Sequence, residues 1–288
     1  MKKLMTILTI TASVTAIVSA CFGLLYSFGG TQRVVENIYG QQVTLFGDGI
    51  YANDSILKAG ATKGTDVVII ITAFLLLCTV SFLRHKRYAL FLQSGLLSIL
   101  LYASSCLVLG VSFNRLFLLY VLQFGSVFFA FVLAISELVR RKSFNKTLYS
   151  KKLTGTAVFM IIAGCSTLVW IPFVLPPIIT GQPMEIIDIY TTEPTFAIDL
   201  AIILPLALYC GIGLFKKKET AYQLTPVLLI LLTGVGMCVI FQTIMQSILG
   251  VVLEPGQFIG LVISFVILGT IALVLNVRLL RHIDLKVK

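Results

Sequence analysis

Hydrophobic positions fall in eight long runs along the chain, separated by shorter polar connections. Each run has about 17 to 25 residues and no charge near its middle, the length a helix needs to cross a hydrocarbon core of about 30 Å. The runs are apolar on every face, whereas membrane-spanning β-strands alternate apolar and polar positions. We therefore predict eight transmembrane helices, at about residues 5–28, 67–83, 88–111, 116–138, 153–175, 196–215, 224–249 and 258–279.

The composition requires lipid as the solvent for most side chains. Hydrophobic residues make up 58% of the 288 residues and charged residues 12%, and the mean hydropathy is +1.02. A soluble domain of this composition would lack a wettable surface. The predicted fold class is therefore an all-α polytopic transmembrane helical bundle, with residues 1–288 forming a single transmembrane domain.

The placement of charge predicts the orientation of the bundle. The net charge is +10, and the basic residues cluster in alternate connections, which the positive-inside rule assigns to the cytoplasm together with both chain termini. We interpret this charge as a topology signal and as contacts for anionic lipid heads, not as a nucleic-acid site. The opposite connections carry more acidic than basic residues, so the outer face is acidic. The residues assigned to the cytoplasm are Lys2, Lys3, Arg84, Lys86, Arg87, Arg140, Arg141, Lys142, Lys146, Lys151, Lys152, Lys216, Lys217, Lys218, Arg278, Arg281, Lys286 and Lys288.

Enzyme and metal motifs are sparse. All six cysteines lie in apolar runs and form no C-x-x-C pair, so we expect neither a disulfide nor a metal site. The histidines, His85 and His282, lie among basic residues, and no zinc-hydrolase, nucleotide-binding or serine-nucleophile motif occurs. We therefore assign no catalytic residue and no cofactor. The N-terminal run up to Cys21 also fits a lipoprotein signal, but it continues to Phe28, beyond the about 7 to 15 residues of a cleaved signal, and we expect an uncleaved helix.

The order of elements repeats in the two halves of the chain, 1–145 and 146–288. Each half reads as helix, long outer loop, helix, basic turn, helix, short outer turn and helix. Asp66 and Asp199 occupy equivalent positions, one helix length before a basic cluster. Because each half has an even number of spans, duplicated halves would insert with the same orientation, related by an axis along the membrane normal. The alternative is that positive-inside helices resemble one another without duplication.

The chain has two long outer loops, residues 29–66 and 177–195, and we expect the first to be ordered in part, because it is too long for a simple turn and mixes apolar and polar residues. In the first, Asp54 or Ser55 can cap a short helix that lies on the outer surface before the chain turns inward at Asp66. Prolines bound the second loop, which we expect to form a compact cap over the outer mouth.

Polar side chains concentrate in the outer half of the predicted bundle. Because polar groups in a bilayer face the protein interior or a water-filled cavity, they favour an outward-open cleft that binds a small ligand. With two carboxylates against one guanidinium, its mouth would be net negative and would favour a cationic or amine-bearing ligand. The alternative is that they are snorkelling helix ends and interhelical hydrogen bonds. The candidate ligand-binding residues are Asp66, Asp199, Arg115, Asn114, Tyr120, Gln123, Gln242 and Gln246, and we expect Arg115 to lie close to at least one of the aspartates.

Four segments carry a resemblance to known sequences: GIYANDS at 49–55, GTD at 64–66, FNRLFLLYV at 113–121 and TTEPTFAIDL at 191–200. With these segments the chain resembles a widespread group of uncharacterised bacterial multi-pass inner-membrane proteins. The resemblance implies the same spans and a location in the bacterial cytoplasmic membrane. It brings no catalytic residues.

Three functions remain open at this point. The leading hypothesis is a carrier or binding protein for a small ligand that enters from the extracytoplasmic side between the two halves. The first alternative is a non-transporting sensor or an accessory subunit that binds a partner membrane protein. The second is an intramembrane enzyme acting on a lipidic substrate, which lacks an obvious pair of nucleophile and base.

Overall fold

The computed structural model describes residues 2–83, 88–140, 153–252 and 254–284. Eight helices within these residues are long and apolar enough to cross a membrane, which confirms the predicted fold class. Large apolar side chains such as Phe74, Leu118 and Ile202 are exposed on the outward helix faces, where lipid replaces water. The chain is a polytopic integral membrane protein. The predicted cytoplasmic residues Arg84, Lys86, Arg87, Arg141, Lys142, Lys146, Lys151, Lys152, Lys286 and Lys288, with His85, lie outside the described residues.

The helices are numbered α1 to α8 in chain order. Five of them are continuous α-helices, and the other three contain a 3₁₀ or π turn. The bounds are Lys2–Leu25 for α1, Ile56–Phe82 for α2, Ala89–Gly110 for α3 and Phe117–Arg140 for α4. Helix α5 consists of Thr154–Ser166, the 3₁₀ turn Thr167–Trp170 and Ile171–Thr180; α6 consists of Pro194–Ile198, the π turn Asp199–Ile203 and Leu204–Phe215. Helix α7 is Glu219–Ile248, and α8 consists of Pro255–Gln257, the π turn Phe258–Ile263 and Ser264–Asp284.

The interruptions in α5 and α6 lie beside prolines. Pro172 follows the 3₁₀ turn of α5, and Pro205 follows the π turn of α6. Proline has no backbone N–H to donate and crowds the preceding turn, so a change of helical pitch before it relieves the clash. The π turn begins at Asp199 and the 3₁₀ turn ends at Trp170. The two irregular turns therefore carry two residues of the site described below.

One end of the bundle, which we call the hairpin face, consists of residues 26–55, 111–116, 181–193 and 249–252. Strands β1 (Arg33–Glu36) and β2 (Gln42–Leu45) form an antiparallel hairpin there, in the register Arg33↔Leu45 and Glu36↔Gln42. The predicted separate surface helix is wrong. The Ser55 hydroxyl does cap a helix by accepting a hydrogen bond from the Lys58 N–H, but that helix is α2 itself.

Helices α2 and α7 form the centre of the bundle. Helix α2 packs against α1, α3 and α7, while α7 also packs against α3, α6 and α8; α1 and α3 contact α4, and α5 contacts α6. Gly60 and Gly64 allow the α2–α7 contact, because a Cβ on Gly64 would lie 2.3 Å from the backbone nitrogen of Gln242. Gly256 and Gly260 of α8 have the spacing of a helix-packing pair, yet no described atom lies within 4 Å of where their Cβ atoms would be.

Candidate functional site

A cavity of about 320 Å³ opens towards the hairpin face between α2 and α3 on one side and α5 to α8 on the other. Its floor and walls mix aromatic, aliphatic and polar side chains. The α2 side supplies Lys58, Thr62 and Thr65, and α7 supplies Gln242 and Gln246. The cavity therefore lies between elements from the two halves of the chain.

Asp199 is the buried carboxylate of this cavity, with a relative exposure of 4%. Its Oδ1 accepts a hydrogen bond of 3.1 Å from the Tyr102 hydroxyl on α3, and its Oδ2 accepts one of 2.8 Å from the Trp170 indole N–H on α5. Both donors are neutral. Within the part of the chain that the structure describes, no lysine or arginine forms an ion pair with Asp199.

Aromatic rings form the wall beside this carboxylate. The Trp170 ring stacks on Phe196, with centroids 4.4 Å apart and planes 20° apart, and lies nearly parallel to Phe265 at 6.2 Å. Phe173 packs against the edge of the same group, 6.3 Å from Trp170. The π faces of these rings carry partial negative charge, as does the carboxylate.

An ion pair lies at the mouth of the cavity. The Lys58 ammonium nitrogen is 3.1 and 3.0 Å from the two carboxylate oxygens of Glu193, and it lies 5.4 Å from the centroid of the Tyr190 ring. Glu193 also caps the start of α6 by accepting the Thr195 N–H. Because Lys58 belongs to α2 and Glu193 precedes α6, the pair joins the two halves.

Below the hairpin, Asp54 anchors the loop that closes the mouth. Its Oδ1 accepts hydrogen bonds from the Tyr190 hydroxyl at 2.8 Å and from the Ser112 N–H at 2.7 Å. Burial raises the pKa of Asp54 above its usual value, and burial together with the nearby Asp54 raises the pKa of Tyr190. One carboxyl group thus connects the hairpin loop, the α3–α4 connection and residues 181–193.

Three of the eight predicted residues line the cavity: Asp199, Gln242 and Gln246. The Gln242 side chain donates to the Thr65 hydroxyl at 2.8 Å, and the Gln246 side chain donates to the Leu57 carbonyl at 3.2 Å. Each amide therefore ties α7 to α2 and also faces the cavity.

The other five predicted residues lie elsewhere. Gln123 is fully buried between helices: it accepts from the Ser19 hydroxyl at 2.6 Å and donates to the Ser104 hydroxyl at 2.8 Å. The Asn114 side chain accepts the Leu116 N–H before α4 begins. Arg115 is exposed, and it forms no ion pair with an aspartate among the described residues, where the ion pairs join Lys58 to Glu193 and Arg140 to Glu137.

Asp66 and Tyr120 belong to a second buried cluster, beside the face of α2 that lines the cavity and turned towards α1. The Asp66 Oδ2 accepts a hydrogen bond of 2.8 Å from the Tyr51 hydroxyl. Gly23 of α1 gives this pair its space, since a Cβ there would lie 2.1 Å from the Asp66 Oδ2. Thr65 faces the cavity, whereas its neighbour in sequence, Asp66, faces α1 and α4. Two consecutive residues of α2 therefore belong to the two different clusters.

Sequence reasoning missed Lys58, Glu193, Tyr102 and Trp170. Tyr102 and Trp170 each carry a single polar side-chain atom and lie within apolar runs. Whether they meet Asp199 depends on how each helix is rotated about its axis. Trp170 is the only tryptophan of the chain, and that it lies beside the helix-interrupting Pro172 was the available signal. In the described residues no three His, Cys, Asp or Glu side chains are grouped as metal ligands.

Comparison with known proteins adds no assignment to either cluster. Searches against protein-family models, curated proteins and solved structures find no match to this chain.

Proposed function

We propose that this membrane protein binds a small cationic ligand, such as an organic amine, in the cavity between its halves and carries it across the membrane. The observation that supports this most directly is the buried carboxylate of Asp199 on the cavity wall, hydrogen-bonded by two neutral donors. An ion in a membrane-embedded site marks a functional position, because an uncompensated charge there costs several kcal/mol.

The charge and chemistry of the walls favour a cation over an anion. Lys58, the one lysine among the described residues that line the cavity, is paired with Glu193, so the carboxyl groups of Asp199 and Asp188 leave the cavity net acidic. The rings of Trp170 and Phe265 add π faces that attract an ammonium group by about 1 kcal/mol or more when desolvated. An amine with a small apolar body matches both features.

The volume limits the size of the ligand. At about 320 Å³ the cavity is at the lower end of the range of ligand pockets, which is about 300–1,000 Å³. We therefore expect an amine of a few carbon atoms, not a lipid or a peptide.

Three features support transport over static binding. The cavity lies between the two halves, its walls include the irregular turns of α5, α6 and α8, and an ion pair between the halves covers its mouth. Transporter sites are commonly built from such discontinuous helices. Binding without uptake would instead support the non-transporting sensor or accessory subunit.

We also propose that the hairpin face is extracytoplasmic, in the cytoplasmic membrane of a bacterium, with both termini in the cytoplasm. Single cysteines at Gln42 and Gln182 on the hairpin face and at Lys216 at the other end, in a cysteine-free background, test this. An impermeant thiol reagent applied to intact cells should label the first two and spare the third. Labelling of Lys216→Cys alone would reverse the orientation.

Trp170 fluorescence provides the binding experiment, since it is the only tryptophan and it contacts Asp199. Purified protein in nanodiscs is titrated with methylammonium, ethylammonium and tetramethylammonium, with acetate and tert-butanol as anionic and neutral controls. We expect saturable changes with amines only, weakened more than tenfold in Asp199→Asn, because a charge-assisted contact is worth about 1.5–3 kcal/mol. Asp48→Asn, on the same face, is the matched control. Equal responses to amines and controls would contradict the proposal.

A further inference from the structure

The bundle contains a second buried carboxyl group that takes no part in the cavity. Asp66 has a relative exposure of 0% and lies where α1, α2 and α4 meet beneath the hairpin. Its Oδ2 accepts the Tyr51 hydroxyl, but its Oδ1 has no hydrogen-bond partner. The Tyr120 hydroxyl on α4 is likewise buried and without a hydrogen-bond partner.

The groups around this carboxyl leave it without a paired counter-charge. From α2 itself, Lys63 acts on it electrostatically, but the Lys63 ammonium donates to the Gly23 carbonyl at 2.8 Å, and no described ion pair joins it to Asp66. The loop presents the neutral Tyr51, α4 presents the neutral Tyr120, and α1 presents Gly23, which has no side chain. Asp48 lies beyond Lys63 and acts on that lysine.

The burial of Asp66 decides whether its carboxyl group is more stable as a carboxylate or as a neutral acid. A fully buried carboxylate with one neutral hydrogen bond would lose most of its solvation, at a cost of several kcal/mol. A neutral carboxylic acid avoids that cost and gives the unpartnered Oδ1 a proton to donate. The buried Asp66 Oδ1 and Tyr120 hydroxyl both lack a hydrogen-bond partner. This arrangement fits a carboxyl group that carries one proton.

We propose that Asp66 is a proton-binding site, separate from the cavity, and that the proton exchanged there is coupled to opening of the cavity mouth. The exchange is an acid dissociation: the O–H bond of the Asp66 carboxylic acid breaks, the proton passes to water at the hairpin face, and the carboxylate that remains is stabilised by Lys63, one turn earlier on α2. No other bond is made or broken. The coupling to transport rests on the proposed function; the proton site itself does not.

A short covalent path joins the two clusters. Tyr51, which holds Asp66, and Asp54, which holds Tyr190 at the mouth, belong to one turn closed by a hydrogen bond of 2.9 Å from the Asp54 N–H to the Tyr51 carbonyl. A change in the charge of Asp66 alters the Tyr51 contact and is transmitted through this turn to Tyr190. Proton release at Asp66 thereby favours opening of the mouth.

Carboxyl-carbon NMR of aspartate tests the proton site without any ligand. The chain has six aspartates, Asp48, Asp54, Asp66, Asp188, Asp199 and Asp284, so protein labelled with ¹³C at the aspartate carboxyl gives a spectrum that single Asp→Asn variants assign. In nanodiscs at neutral pH, the signal lost in Asp66→Asn should have the chemical shift of a neutral acid and should move to that of a carboxylate at alkaline pH. Tyr51→Phe should change that shift, and it also serves if Asp66→Asn does not fold. A carboxylate shift for Asp66 at neutral pH would overturn the proposal.

Proteoliposomes test the coupling. The proteoliposomes carry a proton gradient directed inward and are given radiolabelled methylammonium or ethylammonium. Vesicles with the wild-type protein should accumulate the amine that Trp170 fluorescence shows to bind. Asp66→Asn should keep the fluorescence response and lose the gradient-driven accumulation. Unchanged accumulation in Asp66→Asn would contradict the coupling. If no amine binds at all, the proposed function fails while the NMR signal of Asp66 still decides the proton site.

Discussion

Lys58 and Glu193 join the two halves of the bundle directly above the cavity, with the ammonium nitrogen 3.0 Å from the nearer carboxylate oxygen. The side chains are only 18% and 16% exposed, so water weakens the pair less than it would a surface salt bridge. The Lys58 ammonium also lies over the Tyr190 ring, which Asp54 holds in place. The pair therefore spans the mouth in the conformation that the structure shows.

Breaking this ion pair should open the cavity. Cys106 lines the cavity below the mouth and serves as the reporter in a background without other cysteines. An ion pair of this kind stabilises the closed form by about 1 kcal/mol, so Glu193→Gln or Lys58→Gln should speed alkylation of Cys106 by N-ethylmaleimide about fivefold. Arg115→Gln, an exposed cation on the same face, is the control and should leave the rate unchanged. Equal rates in all three variants would show that the pair does not close the mouth.

The sequence was a good guide to the spans, because each is a long apolar run that only lipid can solvate. It was a poor guide to the start of α2. Lys58, Lys63 and Asp66 made residues 56–66 look like a short surface helix separate from the span, whereas their side chains are held by Glu193, the end of α1 and Tyr51, so one helix continues through them.

The sequence predicted how deep in the membrane the polar residues lie, but not which neighbours their side chains face. Sequence position along a helix gives the depth of a polar residue, while the rotation of the helix decides which neighbours it meets. Gln242 and Gln123 are both polar groups within apolar runs, yet one faces the cavity and the other lies between three helices. Contacts such as that of Asp199 with Tyr102 and Trp170 join distant parts of the chain and leave no local pattern.

Gln123 should affect stability and not ligand binding. Its side chain bridges Ser19 of α1 and Ser104 of α3, and Gln123→Leu removes both hydrogen bonds from a buried position. We expect the free energy of unfolding to fall by about 1–2 kcal/mol, measured by denaturation in mixed micelles. The amine response of Trp170 should be unchanged. Gln246→Leu is the control and should cost less stability, because the one hydrogen bond that it removes, to the Leu57 carbonyl, is exposed to solvent.

Gly23 should not tolerate a methyl group. In Gly23→Ala the new Cβ would lie 2.1 Å from the Asp66 Oδ2 and 2.6 Å from the Tyr51 hydroxyl oxygen, so α1 must move away or the hydrogen bond between them must break. Overpacking of this kind costs about 1–3 kcal/mol. Gly125→Ala on α4, where no described atom lies within 4 Å of the new Cβ, should instead be neutral or slightly stabilising. Equal melting temperatures for the two variants would contradict the tight packing at Asp66.

The two aspartates of the hairpin loop should have opposite effects on the pH dependence of stability. Burial raises the pKa of Asp54, so the stability that its neutral form contributes is fully present below its unfolded value, near 3.8, and is lost as pH rises through the folded pKa. The Ser27 hydroxyl and the Phe28 N–H lower the pKa of Asp48, so its contribution is present above 3.8 and is lost as pH falls.

Melting temperatures measured from about pH 2 to pH 8 should separate these effects, because the Asp54 contribution changes above its unfolded pKa and the Asp48 contribution changes below it. Asp54→Asn keeps an oxygen that accepts from Tyr190 and Ser112 and cannot ionise, so it should flatten the decline of stability above about pH 4. Asp48→Asn should lower the melting temperature at neutral pH and approach the wild type only as pH falls below about 4, where the wild type begins to lose the contribution of this anion. Asp188, whose pKa is also raised by burial, stays in place in both variants and contributes equally to each curve. If the melting temperature of Asp54→Asn declines with pH as steeply as that of the wild type, Asp54 is not the source of the decline. If the melting-temperature curve of Asp48→Asn runs parallel to that of the wild type, the Asp48 carboxylate does not hold the end of α1.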